Sequence, residues 1–280
     1  PGLPGVTVSI GLTDWRRDDT SIDDLFNRAD RALYGGWICM GSVTSAEIMA
    51  GSGLDWVLID MEHAPNGLES VLAQLHAVSG YRVTPVVRVP VGEPVMIKQV
   101  LDLGAQTILV PMVSTVEQAS AVAAAAQYPP VGIRGVGSAL ARSARWNRVE
   151  DYLRDGAQHV SIFVQIETSV GVDNARAIAE TPGIDGVFVG PSDLAASMGL
   201  IGQQTHPDVV ARVEQAFTHV RAAGKNVGVN AFVPAQAHAY VAAGASFVLV
   251  GADVALLARG SESLAEQFIR HDDGPTNGSY

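Results

Sequence analysis

The ten residues LIDMEHAPNG, Leu58 to Gly67, begin as aliphatic core and end in Asp60, Glu62 and His63. Desolvating carboxylates without partners is costly, so a core strand that ends this way marks a place where something pairs with them. A carboxylate beside an imidazole fixes its tautomer and makes it a better proton acceptor, which gives Asp60 and His63 the character of a base dyad. Other polar residues stand at the ends of comparable runs: Arg88 in PVVRVP, Gln165 and Glu167 in VQIET, and Asp193 in GPSD. Glu167 and Asp193 are carboxylates of the kind that hold a hard divalent cation while water completes its shell. A carboxylate pair neutralised by Arg88 is the alternative use of the same residues. In GPSD, Gly190, Ser192 and Asp193 open a helical segment whose first N–H groups favour a carboxylate.

Eight short β-branched runs must position these residues: 37–42, 56–61, 84–89, 107–113, 161–167, 185–190, 226–232 and 247–251. Periodic helical segments such as LESVLAQLHAVS and DVVARVEQAFTHVRAAG lie between most of them, several closed by a glycine. Alternating β and α with strands buried on both faces implies a parallel sheet. Eight units fit an α/β fold, the (β/α)8 TIM barrel of roughly 250 residues, with its active site at the carboxyl ends of the strands. An open doubly wound sheet ranks lower, because no glycine-rich phosphate loop follows the first strand. Strand alternation places Asp60 with Glu62, and Gln165 with Glu167, on common faces. The long interruption from Tyr128 to Val160 carries Arg134, Arg142, Arg145 and Arg148. These arginines suit an acidic ligand, although surface or subunit contacts account for most of the four.

Composition narrows the function. The chain has 280 residues and a formal charge of −11, with 18 Lys and Arg against 29 Asp and Glu, which argues against nucleic acid or an anionic membrane as partner. An anionic small substrate stays open, since it needs only one or two placed arginines. No apolar run is long enough to cross a bilayer, and no signal peptide is read at the start. The single cysteine, Cys39, excludes an internal disulfide and a cysteine-rich zinc site, fits a cytoplasmic location, and is expected to be a small buried residue.

From about Gly36 to Arg270 the chain resembles the metal-dependent (class II) pyruvate aldolases of the 4-hydroxy-2-oxoheptanedioate aldolase family. The resemblance rests on LIDMEHAPN, PVVRVP, IKQVLDLGAQTILVPMV, YPPVGIRGVGSALARSARWNR, VQIET and GVFVGPSDLAASMG, in the family's order and spacing. It implies that Glu167 and Asp193 hold Mg2+ or Mn2+, with Co2+ as a further candidate, and that the ion chelates pyruvate. It further implies Asp60 and His63 as base dyad, Arg88 at the enolate oxygen, and Gln165 near the metal. Glu62 and Asp102 match acidic positions one layer further out. A homo-oligomer, a hexamer with an exchanged C-terminal helix, is also implied, with LAEQFIR as an interface segment. No Schiff-base lysine is needed, and neither Lys98 nor Lys225 falls within the eight runs.

The reaction expected is reversible cleavage of a 4-hydroxy-2-oxo acid to pyruvate and an aldehyde, succinic semialdehyde foremost. Alternatives are a sugar-acid analogue of the 2-dehydro-3-deoxyglucarate type, oxaloacetate decarboxylation, or a catalytically silent interaction module. The resemblance stops before Gly36. Residues 6–12 read as a strand and 21–34 as a helix, with Ser21 and Asp24 as a capping pair, in a pattern similar to the end of a diguanylate cyclase (GGDEF) domain. Without that domain's nucleotide-binding core, residues 1–35 are expected to be an appendage left by fusion or a gene-boundary accident, with no cyclase activity. Residues 271–280 are expected to form a flexible tail.

Overall fold

In the computed structural model, which describes residues 31–269, eight parallel strands close into a barrel in chain order. They are β1 (Leu33–Ile38), β2 (Trp56–Asp60), β3 (Thr84–Arg88), β4 (Thr107–Val110), β5 (Ser161–Ile166), β6 (Gly186–Val189), β7 (Asn226–Asn230) and β8 (Phe247–Ala252). The α-helices among the described residues are α1 (Val43–Ala50), α2 (Leu68–Val78), α3 (Pro94–Asp102), α4 (Val116–Ala126), α5 (Tyr152–Asp155), α6 (Ser169–Ala179), α7 (Pro191–Ser197), α8 (Pro207–Ala222), α9 (Pro234–Ala243) and α10 (Asp253–Phe268). No helix among these residues is long and apolar enough to cross a membrane.

The period-two pattern divides each strand between two cores. Ile38, Val57, Ile59, Val87, Ile108, Val164, Val187 and Val248 face outward and are covered by the helices. Trp56, Leu58, Val86, Leu109, Phe163, Phe188 and Phe247 fill the barrel itself. Large rings fit inside because glycines face them: a β-carbon on Gly35 would collide with Trp56, one on Gly186 with Phe163, and one on Gly228 with Phe247. Phe247 also packs edge-on to Trp56 and Phe163, with centroids 5.6 and 5.4 Å apart.

The barrel begins earlier than the sequence predicts. Leu33 and Tyr34, expected as the end of a helix over 21–34, pair instead with Phe247 and Val248 of β8, while residues 39–42 lie beyond β1. The pair Gly35–Gly36 lies in the strand interior, bare on one face for the Trp56 indole and on the other for Met49 and Leu54. The rest of the expected appendage, and the tail after residue 269, lie outside the described residues.

The long β4–β5 connection carries α5 and short 3-10 turns at Arg142–Ala144 and Gly156–His159. Its arginines mostly hold the chain in place. Arg134, 2% exposed, donates to Asp102 at 2.8 Å and lies 4.7 Å from the centre of the Tyr128 ring. Arg142 donates to the Leu103 carbonyl at 3.0 Å, and Arg148 lies 5.7 Å from the Trp146 ring centre.

Candidate active site

The interior of the barrel changes character at the carboxyl ends of the strands. The alternation that turns Trp56 and Leu58 inward continues to Asp60, and the one that turns Phe163 inward continues to Gln165 and Glu167. Asp60 and Arg88 are register partners on neighbouring parallel strands, so their side chains emerge together. Arg88 donates from Nε and Nη2 to the two oxygens of Asp60, each at 2.8 Å, with the side chains only 6% and 2% exposed. A pair this buried must be well formed, because desolvation offsets much of the attraction. The third nitrogen, Nη1, lies 2.9 Å from Glu62 Oε2 and 3.5 Å from Gln165 Oε1. The Glu62 contact is an ion pair without hydrogen-bond alignment. The guanidinium also lies 4.3 Å from the centre of the Trp37 ring, whose Nε1 donates to Asn230 Oδ1 at 2.9 Å.

Glu167 is buried beside this group. Its Oε1 accepts from the Met112 N–H at 2.7 Å and its Oε2 from the Gln165 amide at 2.6 Å. Met112 holds a left-handed backbone, φ 59°, a conformation that costs a non-glycine residue roughly 1 kcal/mol or more. Burial, reinforced by the carboxylates of Asp193 and Glu62 and opposed by those two donors, pushes the Glu167 carboxyl up to about 7. Glu62 is raised as well, through burial first; Arg88 and His63 oppose this, and Asp60 and Asp193 add to it. Asp193 is exposed in the first turn of α7.

The mouth therefore gathers Asp60, Glu62, Glu167 and Asp193 around Arg88 and His63, a surplus of negative charge and hard oxygen donors. Gly190 keeps the space above Glu167 open: a β-carbon there would lie 2.7 Å from Glu167 Oε2 and 2.9 Å from Gln165 Nε2. This donor chemistry and cradle fit a hard divalent cation. Among the described residues no cluster of three or more His, Cys, Asp or Glu is arranged as a metal centre. The carboxylates of Glu167 and Asp193 could hold such an ion with water completing its shell.

The expected pairing of Asp60 with the His63 ring is not what the structure has. Both Asp60 oxygens are taken by Arg88, and Asp60 meets His63 only through the main-chain N–H at 3.3 Å, with that of Glu62 at 3.0 Å. The imidazole, 67% exposed, has Nε2 3.9 Å from Glu62 Oε2. The physical reason is register: Asp60 ends β2 facing inward beside Arg88, and the bend after it carries the His63 ring to the rim.

Asp102 is likewise not brought to the mouth of this chain. It ends α3, roughly 13 Å along a helix that runs from the mouth toward the opposite face, and pairs there with Arg134. At the GPSD turn, the Gly190 N–H is spent on the Ile166 carbonyl at 3.0 Å and Pro191 has none. Only Ser192 and Asp193 supply donors at that helix start.

Trp37, Asn230 and Met112 belong to the site and were not singled out by type or spacing. Trp37 was findable, since it stands two residues from Gly35 on an inward face. A left-handed backbone at a methionine leaves no mark in the sequence. Cys39, half-buried, follows Trp37 at the mouth, and its thiol is pushed up to about 12 by burial and then by Asp60 and Asp253. Asp253 accepts from the N–H groups of Cys39 and Met40, at 2.8 and 3.2 Å, and from the Ser45 hydroxyl at 2.5 Å. It thereby ties the start of α10 to the loop after β1.

The sequence profile of the HpcH/HpaI aldolase/citrate lyase family matches residues 34–260. A Salmonella dublin protein named 4-hydroxy-2-oxo-heptane-1,7-dioate aldolase is 50% identical over 241 residues, 86% of this chain and 92% of that one. Among solved structures, an aldolase/citrate lyase family protein from Burkholderia cenocepacia is similar with a TM-score of 0.84 at 38% identity, covering 88% of this chain and 98% of that one. The citrate synthase SbnG is similar with a TM-score of 0.75 at 28% identity, covering 85% of this chain and 93% of that one.

Proposed function

The chain belongs to the HpcH/HpaI aldolase/citrate lyase family, and from that premise we propose how it works and on what. It is an aldolase, a carbon–carbon lyase. Its substrate is a 4-hydroxy-2-oxo acid, 4-hydroxy-2-oxoheptanedioate foremost, cleaved reversibly to pyruvate and succinic semialdehyde. The observation that carries the site assignment is the fixed Arg88 guanidinium beside a buried, charge-crowded Glu167 at the mouth.

In cleavage, the C4 hydroxyl gives up its proton, the C3–C4 bond breaks, and its electron pair passes to the 2-oxo acid fragment as the pyruvate enolate. The aldehyde leaves, and the enolate takes a proton at C3 to become pyruvate. His63, exposed at the rim and paired with Glu62, moves the proton at the C4 hydroxyl. Arg88 stabilises the charge that develops on the enolate oxygen, and does so without reorganising, because Asp60 holds it in place. Glu167 and Asp193 would hold Mg2+ or Mn2+, which when bound supplies positive charge for the keto and carboxylate oxygens of the 2-oxo acid. Gln165 fixes the orientation of Glu167, and Ser192 and Asp193 border the substrate carboxylate.

Two further assignments go with this reading. The exposed apolar side of α10 is covered by other copies of the chain in a homo-oligomer, a hexamer by family expectation, and the enzyme works in the cytoplasm.

The test is turnover of 4-hydroxy-2-oxoheptanedioate with Mg2+ or Mn2+ and after chelation. Equimolar pyruvate and succinic semialdehyde, lost on chelation and restored by metal, is the expected result. Turnover that survives chelation would remove the metal assignment. An inert heptanedioate beside rapid cleavage of a 2-dehydro-3-deoxy sugar acid, or decarboxylation of oxaloacetate, would replace the substrate.

A further inference from the structure

The fork of Arg88 is fixed in its own plane by Asp60, at two distances of 2.8 Å, yet in-plane bonds alone leave the guanidinium free to rock about the axis through them. The guanidinium lies over the Trp37 indole, with 4.3 Å between its carbon and the ring centre. The indole is itself fixed. It is 8% exposed, and its Nε1 donates to Asn230 Oδ1 at 2.9 Å. These contacts run across the barrel, from β3 to β1 to β7, between strands that do not pair with one another. They leave one edge of the guanidinium, Nη1, turned toward Glu62 and Gln165, which is the side that can meet a substrate oxygen.

We infer that Trp37, anchored by Asn230, is a positioning residue for Arg88: it sets the plane in which the guanidinium meets the charge that develops during cleavage. The inference rests on the aldolase reading for its kinetic consequence and on geometry alone for the orientation itself. An indole face holds a desolvated guanidinium through its quadrupole, and a phenyl ring does so less strongly. The anchor makes the two contacts a unit. Removing the indole nitrogen or the Asn230 acceptor deletes the same hydrogen bond.

The test has a kinetic and a spectroscopic arm on the full chain. In the kinetic arm, Trp37→Leu is expected to lower kcat for pyruvate release about 10-fold or more with KM changed much less, since the interaction matters most as charge develops. Trp37→Phe should lose far less of the rate. Combined with Arg88→Lys, Trp37→Leu should add little further loss, because it acts through the guanidinium. Trp37→Phe, Asn230→Ala and their double variant should each lose about 2-fold in kcat, with no further loss in the double; wild-type kcat in all three, or losses that multiply in the double, would overturn the inference, so this set decides the question if Trp37→Leu does not fold.

In the spectroscopic arm, NMR relaxation of arginine-labelled protein follows the motion of the Arg88 Nε–H, which the indole should restrict. That restriction should be lost in Trp37→Leu and largely kept in Trp37→Phe. A folded Trp37→Leu with wild-type kcat, a loss confined to KM, or losses that multiply cleanly with Arg88→Lys would overturn the inference, as would Arg88 motion indifferent to Trp37. If the wild type cleaves no 4-hydroxy-2-oxo acid, the aldolase reading fails, and the NMR arm alone still decides the positioning claim.

Discussion

At the scale of single residues, the polar groups of the mouth divide into those that hold and those that act. Asp60 holds. It is buried and pinned to Arg88, so Asp60→Asn leaves a desolvated guanidinium half-paired and should destabilise the fold by about 3 kcal/mol as well as stop turnover. His63 acts. Its ring is 67% exposed, so His63→Ala should leave the melting temperature nearly unchanged while kcat falls by about 10²- to 10⁴-fold. Thermal melts read beside initial rates check the contrast, and a His63→Ala enzyme of normal rate would remove the residue from the proton transfer. Cys39 neither holds nor acts. Its thiol is pushed up to about 12, so at pH 8 the proton stays on and the nucleophilic thiolate is scarce. Alkylation by iodoacetamide at pH 8 should be roughly 10³-fold slower in the native enzyme than in urea-unfolded chain. Rapid native labelling would contradict that environment.

At the scale of elements, the first strand decides where the catalytic unit begins. A chain starting at residue 31 keeps all of β1 and should retain wild-type turnover. A chain starting at residue 36 loses Leu33, Tyr34 and Gly35, which close the barrel against β8 and β2, and should lack a cooperative melt. Equal activity in both truncations would show that this closure is dispensable. The barrel itself was legible because eight β-branched runs alternate with helical periods; Asp60, Arg88, Gln165 and Glu167 were legible as polar residues at strand ends, and alternation put Gln165 and Glu167 on one face. The start of β1 was not legible, since paired glycines look like a break until the Trp56 indole is seen to need the space. The partner of Asp60 was not legible either. Register between β2 and β3 sets Asp60 beside Arg88, and register between parallel strands joined through a helix is not written in local sequence.

At the scale of the whole molecule, α10 is the element left without a cover. Of its 16 residues only Asp253 is buried, and Leu256, Leu257, Leu264 and Phe268 are each more than half exposed. Apolar side chains aligned on one helix ask for a partner surface. Sedimentation of the wild type should show a homo-oligomer, and Leu256→Asp with Leu264→Asp should shift it to smaller species; a monomeric wild type would contradict this assignment. The central claim concerns the mouth: that it stabilises pyruvate as its enolate between Arg88 and the cation held by Glu167 and Asp193. The most direct measurement is exchange of the pyruvate methyl protons in deuterated water, followed by NMR with no aldehyde present. The expected result is exchange catalysed by the wild type with Mg2+ or Mn2+, abolished by chelation and by Glu167→Ala, and largely lost in Arg88→Lys. Exchange that persists undiminished in Arg88→Lys and Glu167→Ala would contradict it.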